Sequence, residues 1–125
     1  MGVTYTEIEL SNPRRPELPA VRVQALADTG SMMLCLPRRL ADQLELEQAD
    51  ERPVTLADGR RVTLPYVGPV HVRFGKRGCF VGALVMGDEV LLGAVPMEDM
   101  DLVVSPLTRT VTVNPASPDA PSYRM

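Results

Sequence analysis

The chain has no tryptophan, and its 125 residues include only three tyrosines and two phenylalanines. Platforms on which nucleic-acid bases could stack are therefore scarce. The basic residues do not make up the deficit, because they fall in scattered doublets (Arg14-Arg15, Arg38-Arg39, Arg60-Arg61, Lys76-Arg77) along a chain of net charge −3. Without a basic stripe, no nucleic-acid partner is expected. Histidine occurs once, at His71, and no C-x-x-C spacing surrounds the two cysteines, so no metal-ligand set and no cofactor are expected. Cys35 and Cys79 could pair, but the N-terminus has neither a basic nor an apolar export signature, and they read as reduced core thiols of a cytoplasmic protein. No apolar run approaches the ~20 residues a membrane helix needs.

What is present is a 45% hydrophobic composition over a length that supports one core and not two lobes. Residues 1–113 read as one all-β domain, and residues 114–125, with Pro115, Pro118 and Pro121, as a flexible tail. Alternation predicts most of the strands. Thr4, Thr6, Ile8 and Leu10 share one side of a half-exposed strand that fits an edge or an interface. Asn12 to Pro19 holds three prolines and reads as an exposed loop. Val21, Val23, Ala25 and Ala27 then alternate with Arg22, Gln24 and Leu26. Met32 to Leu36 is an apolar run expected in the core. Pro37 suits the first turn of a short helix with Leu40, Ala41 and Leu44 on its inner face. Glu45 to Glu51 is acidic and unpatterned, and reads as a solvated connection.

Val54 to Leu64 predicts a β-hairpin whose phase can be tested against loop length. A two-residue turn at Asp58-Gly59 would put the apolar sets of the two arms on opposite faces. A three-residue loop, Ala57-Asp58-Gly59 with Gly59 in the left-handed conformation, pairs Val54 with Val62 and keeps them together, and is preferred. Val70, Val72 and Phe74 then share a strand face opposite His71 and Arg73, which makes His71 a solvated strand residue. Gly75 to Gly78 reads as a turn and Cys79 to Met86 as the next strand. Leu102 to Val104 and Thr110 to Val113 read as short strands joined through Ser105-Pro106-Leu107.

The strand through Ala27 runs into Asp28-Thr29-Gly30-Ser31, a carboxylate at a strand end with two hydroxyls and a glycine beside it. This segment resembles the D-T-G-S/A active-site loop of aspartic proteases, and the apolar approach to it is most similar to the retropepsin-like branch. Leu91-Leu92-Gly93, followed by Pro96 to Met100 as a candidate helix, matches the late strand that packs beside that loop in the family. The hairpin at Ala57-Asp58-Gly59 resembles the family's flap, with an ordinary surface hairpin as the other reading. The resemblance covers about residues 20 to 113. It implies a small closed β-barrel with one or two short helices, and an aspartic endopeptidase acting on peptide substrates.

Such chemistry needs two carboxyls, one to activate water and one to polarise the scissile carbonyl. D-T-G occurs once, so the resemblance implies a homodimer contributing Asp28 from each subunit. It further implies that the Thr29 hydroxyl bonds across the two-fold axis, that Gly30 permits close approach, that Ser31 bonds Asp28, and that Leu26, Ala57, Asp58 and Gly59 contact substrate. Other acids fit worse: Asp58 suits a turn, and Asp88, Glu98, Asp99 and Asp101 suit exposed connections. One departure stands out. Ala94 occupies a position where viral members of the family it resembles often carry an arginine that braces the dimer. The same fold kept as a catalytically silent dimeric peptide-binding module is the alternative, and an unrelated β-protein with a chance D-T-G is the third reading.

Overall fold

Most of the alternating segments become strands of one closed sheet, and the last two pair with each other in a separate two-stranded sheet. The computed structural model describes residues 3–125. In chain order the elements are β1 (Thr4–Ser11), β2 (Val21–Ala27), β3 (Leu34–Leu36), α1 (Arg38–Gln43), β4 (Glu47–Thr55), β5 (Arg61–Phe74), β6 (Arg77–Val85), β7 (Val90–Leu92), α2 (Ala94–Asp99), β8 (Leu102–Ser105) and β9 (Thr110–Val113). The main sheet runs β1-β2-β7-β3-β6-β5-β4, and β1 also pairs with β5. That second pairing closes six strands into a barrel and leaves β4 outside it on the free edge of β5.

The inward phase of each strand builds the core. Ile8 and Leu10 of β1, Ala25 of β2, Leu34 and Leu36 of β3, Val70 and Val72 of β5 and Leu92 of β7 are all essentially inaccessible to solvent. Burial of this kind is worth roughly 1.5–3 kcal/mol for each large aliphatic side chain, and it fixes register because a one-residue slip would turn the whole set outward. Leu40 and Ala41 of α1, with Leu44 at its C-terminal cap, pack against the same core, as the helical spacing requires. Cys35 and Cys79 are buried and unpaired. Burial raises their thiols to about 11 and about 12 respectively, with the Asp99 carboxylate adding to the effect at Cys79.

Five sequence expectations are corrected. Glu45 to Glu51 is not a plain connection, because β4 starts at Glu47 and pairs in antiparallel register with β5. Nearly all of β4 is exposed on both faces, so no buried face imposes alternation on its sequence. Met32 lies outside the core at 68% exposure, and burial starts only at Leu34. The turn at Gly75 is shorter than expected, since Arg77 already belongs to β6 and is buried. Helix α2 opens at Ala94, two residues before Pro96. Proline is tolerated there because first-turn N–H groups lack intrahelical partners.

The fifth correction concerns Asp101, read as part of an exposed connection. It sits half-buried just past α2 in the left-handed region, with φ of 55°. Its carboxylate accepts bonds from Asn114 Nδ2 at 3.1 Å, from Ser117 Oγ and from the Ser122 N–H at 3.1 Å. Arg77 lies beside it, donating from Nη1 to the carbonyls of Met100 and Asp101 and from Nη2 to that of Ser117. Residues 114–125 form no helix or strand, and this cluster ties them, at Asn114, Ser117 and Ser122, to the residue that follows α2.

Candidate active site

Asp28 follows directly on β2, and its position is set by the neighbouring strand β7. The two strands are parallel, with Ala25, Leu26 and Ala27 opposite Val90, Leu91 and Leu92. The Asp28 N–H donates to the Leu92 carbonyl at 3.0 Å, which carries the ladder one residue beyond β2. The chain then turns sharply, and the Ser31 N–H returns to the Asp28 carbonyl at 3.1 Å. Both carboxylate oxygens are engaged from within the loop. Gly30 N–H donates to Oδ1 at 2.9 Å and Ser31 Oγ–H donates to Oδ2 at 3.2 Å. The side chain is thus oriented by two donors while remaining half-exposed, able to meet a ligand.

The far side of the loop is fixed by α2. Ser31 and Met32 carbonyls accept the N–H groups of Ala94 and Val95 at 2.8 and 2.9 Å. These donors belong to the first turn of the helix, where no intrahelical acceptor exists, so the loop serves as the cap that Gly93 lacks a side chain to provide. The approach is close. A Cβ on Gly93 would lie 2.4 Å from the Met33 carbonyl oxygen and 2.7 Å from the Met32 carbonyl carbon. Only glycine fits there.

The three residues of Leu91-Leu92-Gly93 therefore act differently. Leu92 is fully buried in the barrel, Gly93 admits the loop, and Leu91 points outward, half-buried, paired with Leu26 on one side and Cys35 on the other. Alternation along β2 puts Ala25 inside and Leu26 outside, and Asp28, two residues on, shares Leu26's side. Leu26 and Leu91 thus form an apolar strip on the side of the sheet that carries the carboxylate. Tyr5 continues the strip opposite Leu26. The Glu89 carboxylate beside its hydroxyl pushes the phenol above its ordinary range.

Thr29 is exposed, and its hydroxyl has no partner among the described residues. The hairpin at 57–59 has the preferred phase. Val54 pairs with Val62 and Thr55 with Arg61, and Gly59 takes a φ of +88°. Its bonds stay local: Leu56 N–H to Arg60 O at 2.8 Å, Gly59 N–H to Leu56 O at 2.9 Å, and Asp58 accepting from Arg60 N–H at 2.9 Å and Arg60 Nε at 2.7 Å. No hydrogen bond among the described residues joins this tip to the Asp28 loop. The structure thus brings together Asp28, Gly30, Ser31, Leu26 and the Leu91 to Gly93 segment, and leaves Ala57, Asp58 and Gly59 as a separate arm.

The sequence reading missed Arg77 and Asn12. Asn12 Nδ2 donates to the Leu44 and Glu45 carbonyls at the end of α1, 2.9 and 3.2 Å away, and so ties the proline loop to that helix. Neither residue has a local signal. Each acts on carbonyls more than twenty residues away.

The aspartyl protease family model matches residues 18–94, from before β2 to the first residue of α2. That span holds the Asp28 loop, the hairpin and β7, and covers more than half of the chain. The chain belongs to the aspartyl protease family. No curated protein matches the sequence. Among solved structures, the EIAV protease complexed with the inhibitor HBY-793 is similar over 78% of this chain and 88% of its own, with 17% identity and a TM-score of 0.59. The retroviral protease-like domain of Ddi1 from Leishmania major is similar over 91% of each chain, with 13% identity and a TM-score of 0.58. At such identities the likeness is one of fold, and the fold is the retropepsin-like barrel with two short helices. No helix among the described residues is long and apolar enough to cross a membrane.

Proposed function

We propose that the chain is a homodimeric aspartic endopeptidase of the cytoplasm, in which Asp28 from each of two copies forms the catalytic pair. The observation that carries this reading is the Asp28 carboxylate itself, held by Gly30 N–H and Ser31 Oγ on a backbone anchored to β7 and α2, yet half-exposed. One such carboxylate occurs per chain. Two of them a few ångströms apart cannot both ionise cheaply, so the pair holds one proton between them. The ionised member takes a proton from water, the water oxygen attacks the peptide carbonyl, and the protonated member donates to the carbonyl oxygen. The unpartnered Thr29 hydroxyl is suited to bond across the axis to the second loop. An extended substrate would lie along the Leu26 and Leu91 strip, under the arm that carries Ala57, Asp58 and Gly59, where backbone hydrogen bonds supply affinity.

The alternative, a silent dimeric peptide-binding module, is favoured by one feature, the alanine at position 94 in place of a bracing arginine. Turnover separates the two. Wild type is expected to cleave members of a mixed peptide library somewhere between about pH 3 and about pH 8 with a bell-shaped profile, because the pair must carry one proton. Asp28→Asn should lose cleavage and keep its β-rich circular dichroism. A wild type that is dimeric and silent at every pH would favour the binding module, and equal cleavage by both proteins would remove Asp28 from the chemistry.

A further inference from the structure

Beside the Asp28 loop the surface opens into a groove of about 440 Å³, with Thr29, Ala94, Glu98, Val103 and Pro106 in its lining. Glu98 is the one charged residue there. Apolar residues in the groove's lining, or close in sequence to it, are exposed. Met32 is 68% exposed, Val95 40% and Val103 36%. Leu107, in the loop between β8 and β9 just beyond the groove residue Pro106, is 96% exposed and so touches almost nothing of its own chain. Arg109 stands two residues further along the same loop, also exposed. Neither Arg109 nor Glu98 is in an ion pair among the described residues.

A groove with one anion in its lining thus lies next to the loop whose site is incomplete without a second carboxylate, and the chain that leaves the groove at Pro106 carries an exposed apolar knob and, two residues on, an exposed cation. In a two-fold dimer each contact is made twice, so a surface carrying both halves of a contact is self-complementary. We infer that the groove receives the β8–β9 tip of a second copy. The partner's Leu107 fills the groove of each chain, and the partner's Arg109 meets Glu98 at its edge. This rests on the homodimer proposed above and says which face makes it. It also accounts for Ala94: the brace that an arginine would provide from the start of α2 is replaced by a cation carried on the hairpin, reaching Glu98 on the same helix from the other subunit.

The test is the dimer dissociation constant, measured by sedimentation equilibrium on the full chain for wild type, Leu107→Asp, Glu98→Arg, Arg109→Glu and the double variant Glu98→Arg/Arg109→Glu. All three positions are exposed, so circular dichroism should be unchanged throughout. Leu107→Asp is expected to weaken the dimer by about tenfold or more, as the loss of a central apolar anchor does. Each single charge reversal should weaken it several-fold, and the double reversal should restore it, because the pair is then re-formed with its signs exchanged. A Leu107→Asp dimer as tight as wild type would overturn the inference, as would a double reversal no tighter than its parents. If either result came with a dimeric wild type whose cleavage depends on Asp28, only the interface would be wrong. A wild type that is monomeric and inactive at every concentration would remove both.

Discussion

The Asp28 loop and the hairpin at 57–59 are both short glycine-containing turns with an aspartate accepting bonds from residues just after it, yet they are held in opposite ways. Asp28 accepts from Gly30 and Ser31, and Asp58 accepts from Arg60. There the likeness ends. The Asp28 loop is also bonded to Leu92, Ala94 and Val95, more than sixty positions away, whereas the hairpin tip is bonded, among the described residues, only to itself. One turn is part of the barrel and the other stands on it. Under the proposed function a catalytic carboxylate would have to stay within a fraction of an ångström of its place and a cover would have to move, and the number of long-range bonds suits each of those tasks.

The sharpest way to break this contrast is to make the same glycine-to-alanine change against the Asp28 loop and within the hairpin. Gly93→Ala forces a methyl to within 2.4 Å of a backbone oxygen that no side-chain movement can clear. It should cost about 3 kcal/mol or more and disorder the Asp28 loop, so that cleavage falls to background along with a large drop in melting temperature. Leu92→Ala, which empties a fully buried site under the same loop, should cost about 2–5 kcal/mol by chemical denaturation. If either protein melted like wild type, the anchoring of the loop through β7 would be wrong.

How much of this was legible in the sequence follows the same division. The hairpin could be phased from its own residues, because Val54 and Val62 share a face only with a three-residue loop, and the pairing found is that one. Asp28, Gly30 and Ser31 stood out through their resemblance to the family's loop, and the bond expected from Ser31 to Asp28 is present, whereas the Gly30 N–H bond to the same carboxylate was not foreseen. The part of β4 before Val54 was not legible, since a ribbon wet on both faces carries no periodic signal. Arg77 was not, since its acceptors are the carbonyls of Met100, Asp101 and Ser117, and a carbonyl is the same whatever the residue. Sequence pattern records burial and local geometry. It is silent on long-range bonds to backbone.

Gly59→Ala is the matching change at the hairpin, and a milder one. Nothing lies within 4 Å of the added methyl, so the cost is only that of a φ of +88° on a residue with a Cβ, about 1 kcal/mol. The melting temperature should fall by a few degrees at most, on the order of what 1 kcal/mol gives in a domain of this size. The contrast is sharpened if KM for a peptide substrate rises while kcat holds, since the tip would then affect binding and leave the carboxylate pair in place. A fall in kcat with KM unchanged would mean that the tip reaches the chemistry.

Asp58 gives the smallest effect and a pH signature. The Arg60 N–H and then the Arg60 side chain hold its carboxyl below the ordinary aspartate value of 3.8. A carboxyl whose folded pKa is lowered stabilises the fold above its unfolded pKa, and that contribution is lost as pH falls through the folded value. Asp58→Asn should therefore melt slightly below wild type at neutral pH, and the gap should close only in acid below the unfolded carboxyl's range. Because the pair is open to solvent, salt should shrink the gap as well. In the monomer, at concentrations below those at which it dimerises, the same substitution at Asp28 should show no such link between melting and salt, because the donors within the chain are a backbone N–H and a hydroxyl, neither carrying a charge that salt can screen. A salt-sensitive Asp28→Asn difference would mean that a cation outside the loop contacts the carboxylate, and that the two turns are less different than their bonds make them.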